Sequence, residues 1–454
     1  MPITNKENSS TKPHVIVLAF PFSSHPASLH TLVRKLAAAA PDVTFSFFST
    51  AKSNGLIFGS EDNGLDNLKA YNVTDGVPPN YVFTGRPEAF IELFMKATLG
   101  NFKRAIDGVV EEKKITCVMS DTFLWFAGEM AEEMKVPWVP LWIAGQFSLS
   151  AHFYTDLIRR MIGTGPDATA GREDEPLNFI PGMSRFRIRD LQEGIVFGDV
   201  DSPFSNMLHR MGQMLPRAAA VAINSVEELN PTITDDLKKK FQNCLNVGPF
   251  SFMSALPSDP DVNGCLSWLD GQKAASVAYI GFGTVFSPPP QEQVALAEAL
   301  ETRGVPFLWS LKENLKGILP DGFLERTKGR GKVVSWAPQV QVLAHTAVGV
   351  FVTHCGWNSV LESVMGRVPM ICRPIMADNR LNGRMVTEVW EIGVGMEGGV
   401  ITIDGMMRGL DLILSEEKGK KMRGNIGALH ELMGKAVGAQ GSSSENFKIL
   451  LESL

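Results

Sequence analysis

The chain has 454 residues, more than one apolar core usually supports, so two domains of about 200 residues each are expected. Its net charge of −6, with no basic cluster beyond Lys238-Lys239-Lys240, argues against nucleic-acid binding. No apolar run reaches the roughly 18 residues that would span a membrane, and 44% hydrophobic content is that of an ordinary globular protein. The five cysteines, Cys117, Cys244, Cys265, Cys355 and Cys372, are scattered and lack CxxC spacing. That pattern predicts reduced thiols in a cytoplasmic protein and no metal site. The polar start MPITNKENSSTKPH lacks the apolar stretch of a signal peptide.

The first strand is predicted over 14–20 (HVIVLAF), followed by a turn at 21–25 and an amphipathic helix over 26–40. A strand over 43–49, apolar runs at 116–119 and 136–142, and a helix over 125–134 come next. Residues 248–264, rich in Gly, Pro, Ser and Asp, read as a linker between an N-terminal domain (1–247) and a C-terminal one (265–441). The second half repeats the alternation. A strand over 276–280 runs into the turn Gly281-Phe282-Gly283-Thr284, a helix follows over 291–302, and strands recur at 306–311, 332–336, 348–353 and 368–374. Strands alternating with helices imply two α/β domains with doubly wound parallel sheets.

The segment from Trp336 to Asn379 carries the most chemistry. The apolar run 348–352 stops at Thr353-His354-Cys355-Gly356, and a helical pattern opens at Asn358-Ser359. A strand, a small-residue turn and a helix start leave unpaired N–H groups and a positive dipole end, a setting that suits a diphosphate. His354, Asn358 and Ser359 add donors. Glu362 follows Asn358 by one helical turn, where it can accept from ribose hydroxyls, and Trp336 offers a flat face for a uracil ring.

With W-A-P-Q at one end, H-C-G-W-N-S in the middle and an acidic residue near the other end, this segment resembles the signature box of plant family-1 UDP-sugar glycosyltransferases. The resemblance implies the GT-B fold, two Rossmann-like domains facing a central cleft, in which the last helix, about 442–454, packs back on the first domain. It implies that Trp336 stacks on the uracil, and that Gln339 and Glu362 hold the nucleoside. His354, Asn358 and Ser359 bind the diphosphate, Trp357 with Asp378 faces the sugar, and Thr284, Ala337, Gly356 and Asn379 belong to the same donor site. UDP-sugar is then a co-substrate, with no cofactor or metal required and a monomer expected.

Transfer to a hydroxyl needs a base and a group to orient it. His25 follows the first strand and Asp121 follows the strand at 116–119, both at carboxyl ends where such sheets place ligands. A carboxylate accepting the Nδ1–H of His25 would fix its tautomer. In the resembled family P-F-x-x-H and D-x-F carry this pair, here Pro21-Phe22-Ser23-Ser24-His25 and Asp121-Thr122-Phe123, so His25 is assigned as base and Asp121 as its partner. The expected reaction is a single displacement with inversion.

Segments such as DGVPPNYVFTGRPE and LNFIPGMSRFRIRDLQEGIVFGD resemble the flavonoid 3-O-glycosyltransferase branch. That resemblance implies a flavonol acceptor such as kaempferol, quercetin or myricetin. Phe20, Phe123, Phe204 and Met376 would serve as walls, and Ser24, Glu88, His152 and Gln192 as polar contacts. For the sugar, two departures carry weight. The box ends Asp378-Asn379 where glucose users have Asp-Gln, and Ile143 stands where a Thr or Ser commonly bonds the glucose 6-hydroxyl. An isoleucine leaves that hydroxyl unpaired at about 1–3 kcal/mol. These residues favour UDP-rhamnose, with UDP-glucose as the close alternative and a sugar-nucleotide epimerase of the same fold as a remote one.

Overall fold

The computed structural model describes residues 12–59, 64–78, 81, 88–109, 114–253, 261–285, 287–414 and 417–454. Within them lie two parallel sheets that share no strand. The first contains β1 (His14–Leu18), β2 (Thr44–Thr50), β3 (Leu68–Val73), β4 (Cys117–Asp121), β5 (Trp138–Trp142), β6 (Val221–Ile223) and β7 (Cys244–Asn246), in the order β3-β2-β1-β4-β5-β6-β7. The second contains β8 (Val277–Gly281), β9 (Phe307–Ser310), β10 (Gly331–Val334), β11 (Val348–Thr353), β12 (Met370–Cys372) and β13 (Gly393–Gly395), in the order β10-β9-β8-β11-β12-β13.

Parallel neighbours need crossovers, and helices supply them: His25–Ala39 after β1, Phe126–Met134 after β4, Pro290–Arg303 after β8 and Trp357–Gly366 after β11. Helices on both faces bury both sides of each strand, which is why β1 reads as an unbroken apolar run. Val15 and Val17 enter one layer with Leu29, Leu32 and Leu36, whereas Ile16 and Leu18 enter the other with Phe94 and Phe102. Strand order reverses between β1 and β4 in the first sheet and between β8 and β11 in the second. Crevices form at the carboxyl ends of such switch points. His25 and Asp121 stand at the first, and the turns 281–285 and 353–356 at the second.

The sheets meet across a seam with directional contacts. The Trp357 indole N–H donates to the Asn224 carbonyl (2.8 Å), and the Asn358 Nδ2 donates to Ser28 Oγ (3.3 Å). Arg384 Nε pairs with Asp190 Oδ2 at 2.8 Å. The final helix, Ser442–Glu452, lies against β7 of the first sheet. There Asn446 Nδ2 donates to the Asn246 carbonyl (3.1 Å), and Leu450 is fully buried in the layer that holds Leu245 and Val247.

Leu450→Ala should therefore cost about 2–5 kcal/mol, read by urea unfolding. A loss under about 0.5 kcal/mol, the range of an exposed site, would mean that the helix is not docked in solution.

Candidate functional site

His25 is the first residue of its helix, reached through Ser23, whose φ of 55° lies in the left-handed region. That turn brings the imidazole back over the end of β4. Its Nδ1 sits 2.7 Å from Asp121 Oδ2, with the Asp121 side chain almost fully buried. A carboxylate accepts only, so Nδ1 carries a proton, and in the neutral tautomer it is Nε2 that holds the lone pair. The other carboxylate oxygen, Asp121 Oδ1, accepts from the Phe123 N–H at 2.9 Å, which fixes the rotamer.

Aromatic rings surround the base. Phe20 meets His25 edge-on at 5.1 Å and Phe123 lies 4.4 Å from it, ring centre to ring centre. From Phe123 the wall continues to Phe204 (6.1 Å) and Trp142 (6.2 Å), and from Trp142 to His152 (5.6 Å). His152 Nε2 is 3.0 Å from Gln192 Oε1, which therefore accepts its proton, and Nδ1 is left buried without a partner. Burial lowers His152 to about 4, against the opposing pull of Gln192, so the ring is neutral at pH 7. Met376 is half-buried in the loop before Asn379. Ser24 is exposed at the helix start and makes no capping bond with its side chain, and the Glu88 side chain lies outside the described part of the chain.

Across the seam, the turn after β11 places Cys355 at φ 66° and leads into the helix Trp357–Gly366 through Gly356. The His354 ring lies between two glycines. A Cβ on Gly356 would come within 2.5 Å of its Nε2, and one on Gly283 within 2.9 Å of its Cε1. Burial lowers His354 to about 4, although a hydrogen bond to the Gly281 backbone favours the protonated ring. Its Nδ1 is buried and unpartnered. Thr284 is exposed in the facing turn.

Trp336 is 48% exposed, with its carbonyl held by Asn263 Nδ2 at 2.8 Å, and Ala337 beside it is buried. Gln339 Nε2 donates to Glu362 Oε2 (2.7 Å) and Ser359 Oγ (3.0 Å), while the Tyr279 hydroxyl donates to Gln339 Oε1 (3.1 Å). The Gln339 amide thus orients Glu362, whose carboxyl burial pushes up despite that bond. Asp378 Oδ2 accepts from Asn382 Nδ2 at 3.0 Å, and burial raises its carboxyl to about 6. Its field includes His25 across the cleft. Asn379 opens the helix Asn379–Arg384 and is buried.

One expectation is corrected. The Trp357 side chain does not face a sugar: its ring is 4% exposed, bonded to Asn224 and packed edge-on against Phe147 at 5.5 Å, so it fills the seam. Ile143, one residue past β5, is half-buried against the layer that holds Val139 and Leu141. Sequence reasoning also missed Asn224, Ser28, Trp142 and Phe94. Asn224 and Ser28 stand outside any motif, and the two aromatics look like ordinary core residues.

Among the described residues no group of three or more His, Cys, Asp or Glu is arranged to hold a metal ion, and no helix is long and apolar enough to cross a membrane.

Two Rossmann-like domains with an imidazole–carboxylate pair on one and an anion-suited turn on the other define a sugar-nucleotide transferase of the GT-B type. Residues 14–432 match the family described as UDP-glucoronosyl and UDP-glucosyl transferase, and the chain belongs to that family as a plant family-1 UDP-glycosyltransferase. It is 56% identical over 447 residues to an anthocyanidin 3-O-glucosyltransferase of Vitis vinifera, covering 98% of each chain. It is 54% identical over 442 residues to a flavonol 3-O-glucosyltransferase of Actinidia chinensis var. chinensis, covering 97% of this chain and 96% of that one. The crystal structure of a UDP-glucose:anthocyanidin 3-O-glucosyltransferase in complex with UDP superposes with a TM-score of 0.92 at 42% identity, covering 97% of this chain and 98% of that one.

The raised Asp378 carboxyl makes a pH prediction. If Asp378 accepts from hydroxyls of the sugar, as the resemblance implies, it does so as a carboxylate only above about pH 6. The affinity advantage of a UDP-sugar over UDP should therefore fall as pH drops through 6, and calorimetry at pH 5 to 8 would measure it. In Asp378→Asn the advantage should be small and flat; an unchanged pH dependence there would assign the titration to another group.

Proposed function

We propose that the chain transfers glucose from UDP-glucose to the 3-hydroxyl of a flavonoid, with inversion at the anomeric carbon. The observation that carries the transfer is the 2.7 Å bond between His25 and the buried Asp121, with His25 on the same helix as Ser28, which touches the donor-side Asn358. In this reading His25 Nε2 takes the acceptor hydroxyl proton as that oxygen bonds to the anomeric carbon. The bond to UDP breaks with its electron pair, and Asp121 stabilises the imidazolium. His354, Gly356, Asn358, Ser359 and Thr284 receive the diphosphate charge, aided by the N–H groups that open the helix at Trp357. Trp336 and Ala337 carry the uracil, and Gln339 holds Glu362 toward the ribose. Asp378 and Asn379 bind the sugar.

The flavonoid would lie against Phe20, Phe123, Phe204 and Met376. His152 and Gln192 can give it polar contacts, with Ser24 at the mouth.

Glucose replaces the rhamnose expected from the residues at 143 and 379. The relatives named above are glucosyltransferases at more than half identity over nearly the whole chain. Asn379 retains the amide of the Gln that glucose users carry, one methylene shorter.

A donor panel of UDP-glucose, UDP-galactose and UDP-rhamnose on quercetin, kaempferol and an anthocyanidin tests this, with products identified by mass and NMR. Highest kcat/KM with UDP-glucose and attachment at the 3-hydroxyl are expected; a tenfold preference for UDP-rhamnose would restore the discarded donor. His25→Ala should lower turnover about 10²–10⁴-fold while UDP affinity holds. Asp121→Asn should lower it too, because an amide cannot stabilise imidazolium, and a mutant of either kind with over half the parent rate would remove that residue from the mechanism.

A further inference from the structure

Asn224, just after β6 and 2% exposed, uses every hydrogen-bonding group it has. Its N–H donates to the Trp142 carbonyl (2.9 Å), and its own carbonyl accepts the Trp357 indole N–H (2.8 Å). Its Oδ1 accepts the Phe250 N–H (3.0 Å), and its Nδ2 donates to Asn358 Oδ1 (3.2 Å) and to the Ile143 carbonyl (3.4 Å). One side chain thus ties the first sheet, the segment leaving it and the helix at Trp357 together. Gly248 lets that segment approach, since a Cβ there would come within 2.5 Å of Asn224 Oδ1.

The network also sets a direction. A backbone N–H can only donate, so Phe250 fixes Oδ1 of Asn224 on its side. The Ile143 carbonyl can only accept, so it fixes Nδ2 on the other. The Asn358 amide must then turn its oxygen to Asn224 and its NH₂ away. That NH₂ donates to Ser28 Oγ, one turn along from His25, and keeps a second N–H free to donate. Reversed, the amide would present a carbonyl oxygen on that side, where the proposed diphosphate would need a donor.

We propose that Asn224 is a positioning residue for the transfer: it holds the domains in register and keeps the Asn358 NH₂ pointed at the donor diphosphate. This rests on reading the turn at 353–359 as the UDP site.

Asn224→Asp keeps the acceptor for Phe250 and puts a second carboxylate oxygen against Asn358 Oδ1. UDP affinity by calorimetry should fall about tenfold or more, and KM for UDP-glucose should rise in step, while KM for the flavonoid at saturating donor stays within twofold. In an Asn358→Ala background the same change should cost less than twofold, because its effect passes through Asn358. A purely structural role would instead give equal losses in both backgrounds, overturning the proposal, as would parent-like UDP affinity in the single mutant. Should Asn224→Asp lack a cooperative melting transition, Asn224→Ala, which removes both side-chain polar groups and leaves the backbone carbonyl to Trp357, takes its place in both backgrounds. Loss of UDP affinity of threefold or more in that single mutant supports the proposal, and unchanged affinity refutes it. A parent protein that binds no UDP would overturn the donor-site reading, whereas parent binding without these mutant effects overturns only the role of Asn224.

Discussion

The hydrogen bond from the Trp357 indole to the Asn224 carbonyl crosses a seam between two sheets that share no strand, and the chemistry depends on that seam. The proposed base, His25, stands on one sheet, and the turn proposed for the diphosphate, 353–356, on the other. A displacement demands that acceptor oxygen, anomeric carbon and leaving oxygen be aligned, and misplacement by about an ångström can cost a hundredfold in rate. Apolar burial is non-directional and cannot set such an alignment. Hydrogen bonds and ion pairs can, and the seam is built from them. The Asp190–Arg384 pair is better understood as a register pin than as a stabiliser: burial pushes the Asp190 carboxyl up even beside Arg384, the sign of a desolvation cost that the pair only partly offsets.

The burial that encloses the seam also acts on the titratable groups beside it. Desolvation lowers His152 and His354 and raises Asp378 and Glu362, in each case disfavouring the charged form. Fixed dipoles act strongly in such surroundings, and in the proposed transfer those of the helix start at Trp357 need not reorganise as charge moves onto the leaving diphosphate. The aromatic wall from Phe20 to Trp142 has a matching effect at the other end. It packs around His25 and presents flat apolar faces, which suit the planar acceptor proposed above.

Much of this was legible in the sequence, for local reasons. Strands β1, β4, β5, β8 and β11 are apolar runs because both their faces are covered, and turns follow them at the switch points, so His25, Asp121 and His354 could be placed at carboxyl ends. Strands β6, β7 and β13 are three residues each, too short to carry a period, and β3 breaks its run with exposed Lys69 and Ala70 at a sheet edge. Side-chain direction was less legible than position. Trp357 sits where a sugar-facing residue could sit, yet its side chain fills the seam. Asn224 could not have been singled out, because its role exists only once the two domains are brought together.

Stereochemistry gives the most direct test of a single displacement by a base-activated hydroxyl. UDP-glucose carries its sugar through an α linkage, so attack by the acceptor oxygen from the opposite face yields a β-glucoside. Proton NMR of the first product formed, read at the anomeric hydrogen, distinguishes the two configurations. The account predicts the wide coupling of a β-glucoside from the earliest time point. An α-glucoside would mean two displacements or front-face attack, and neither is compatible with His25 and Asp121 acting as described.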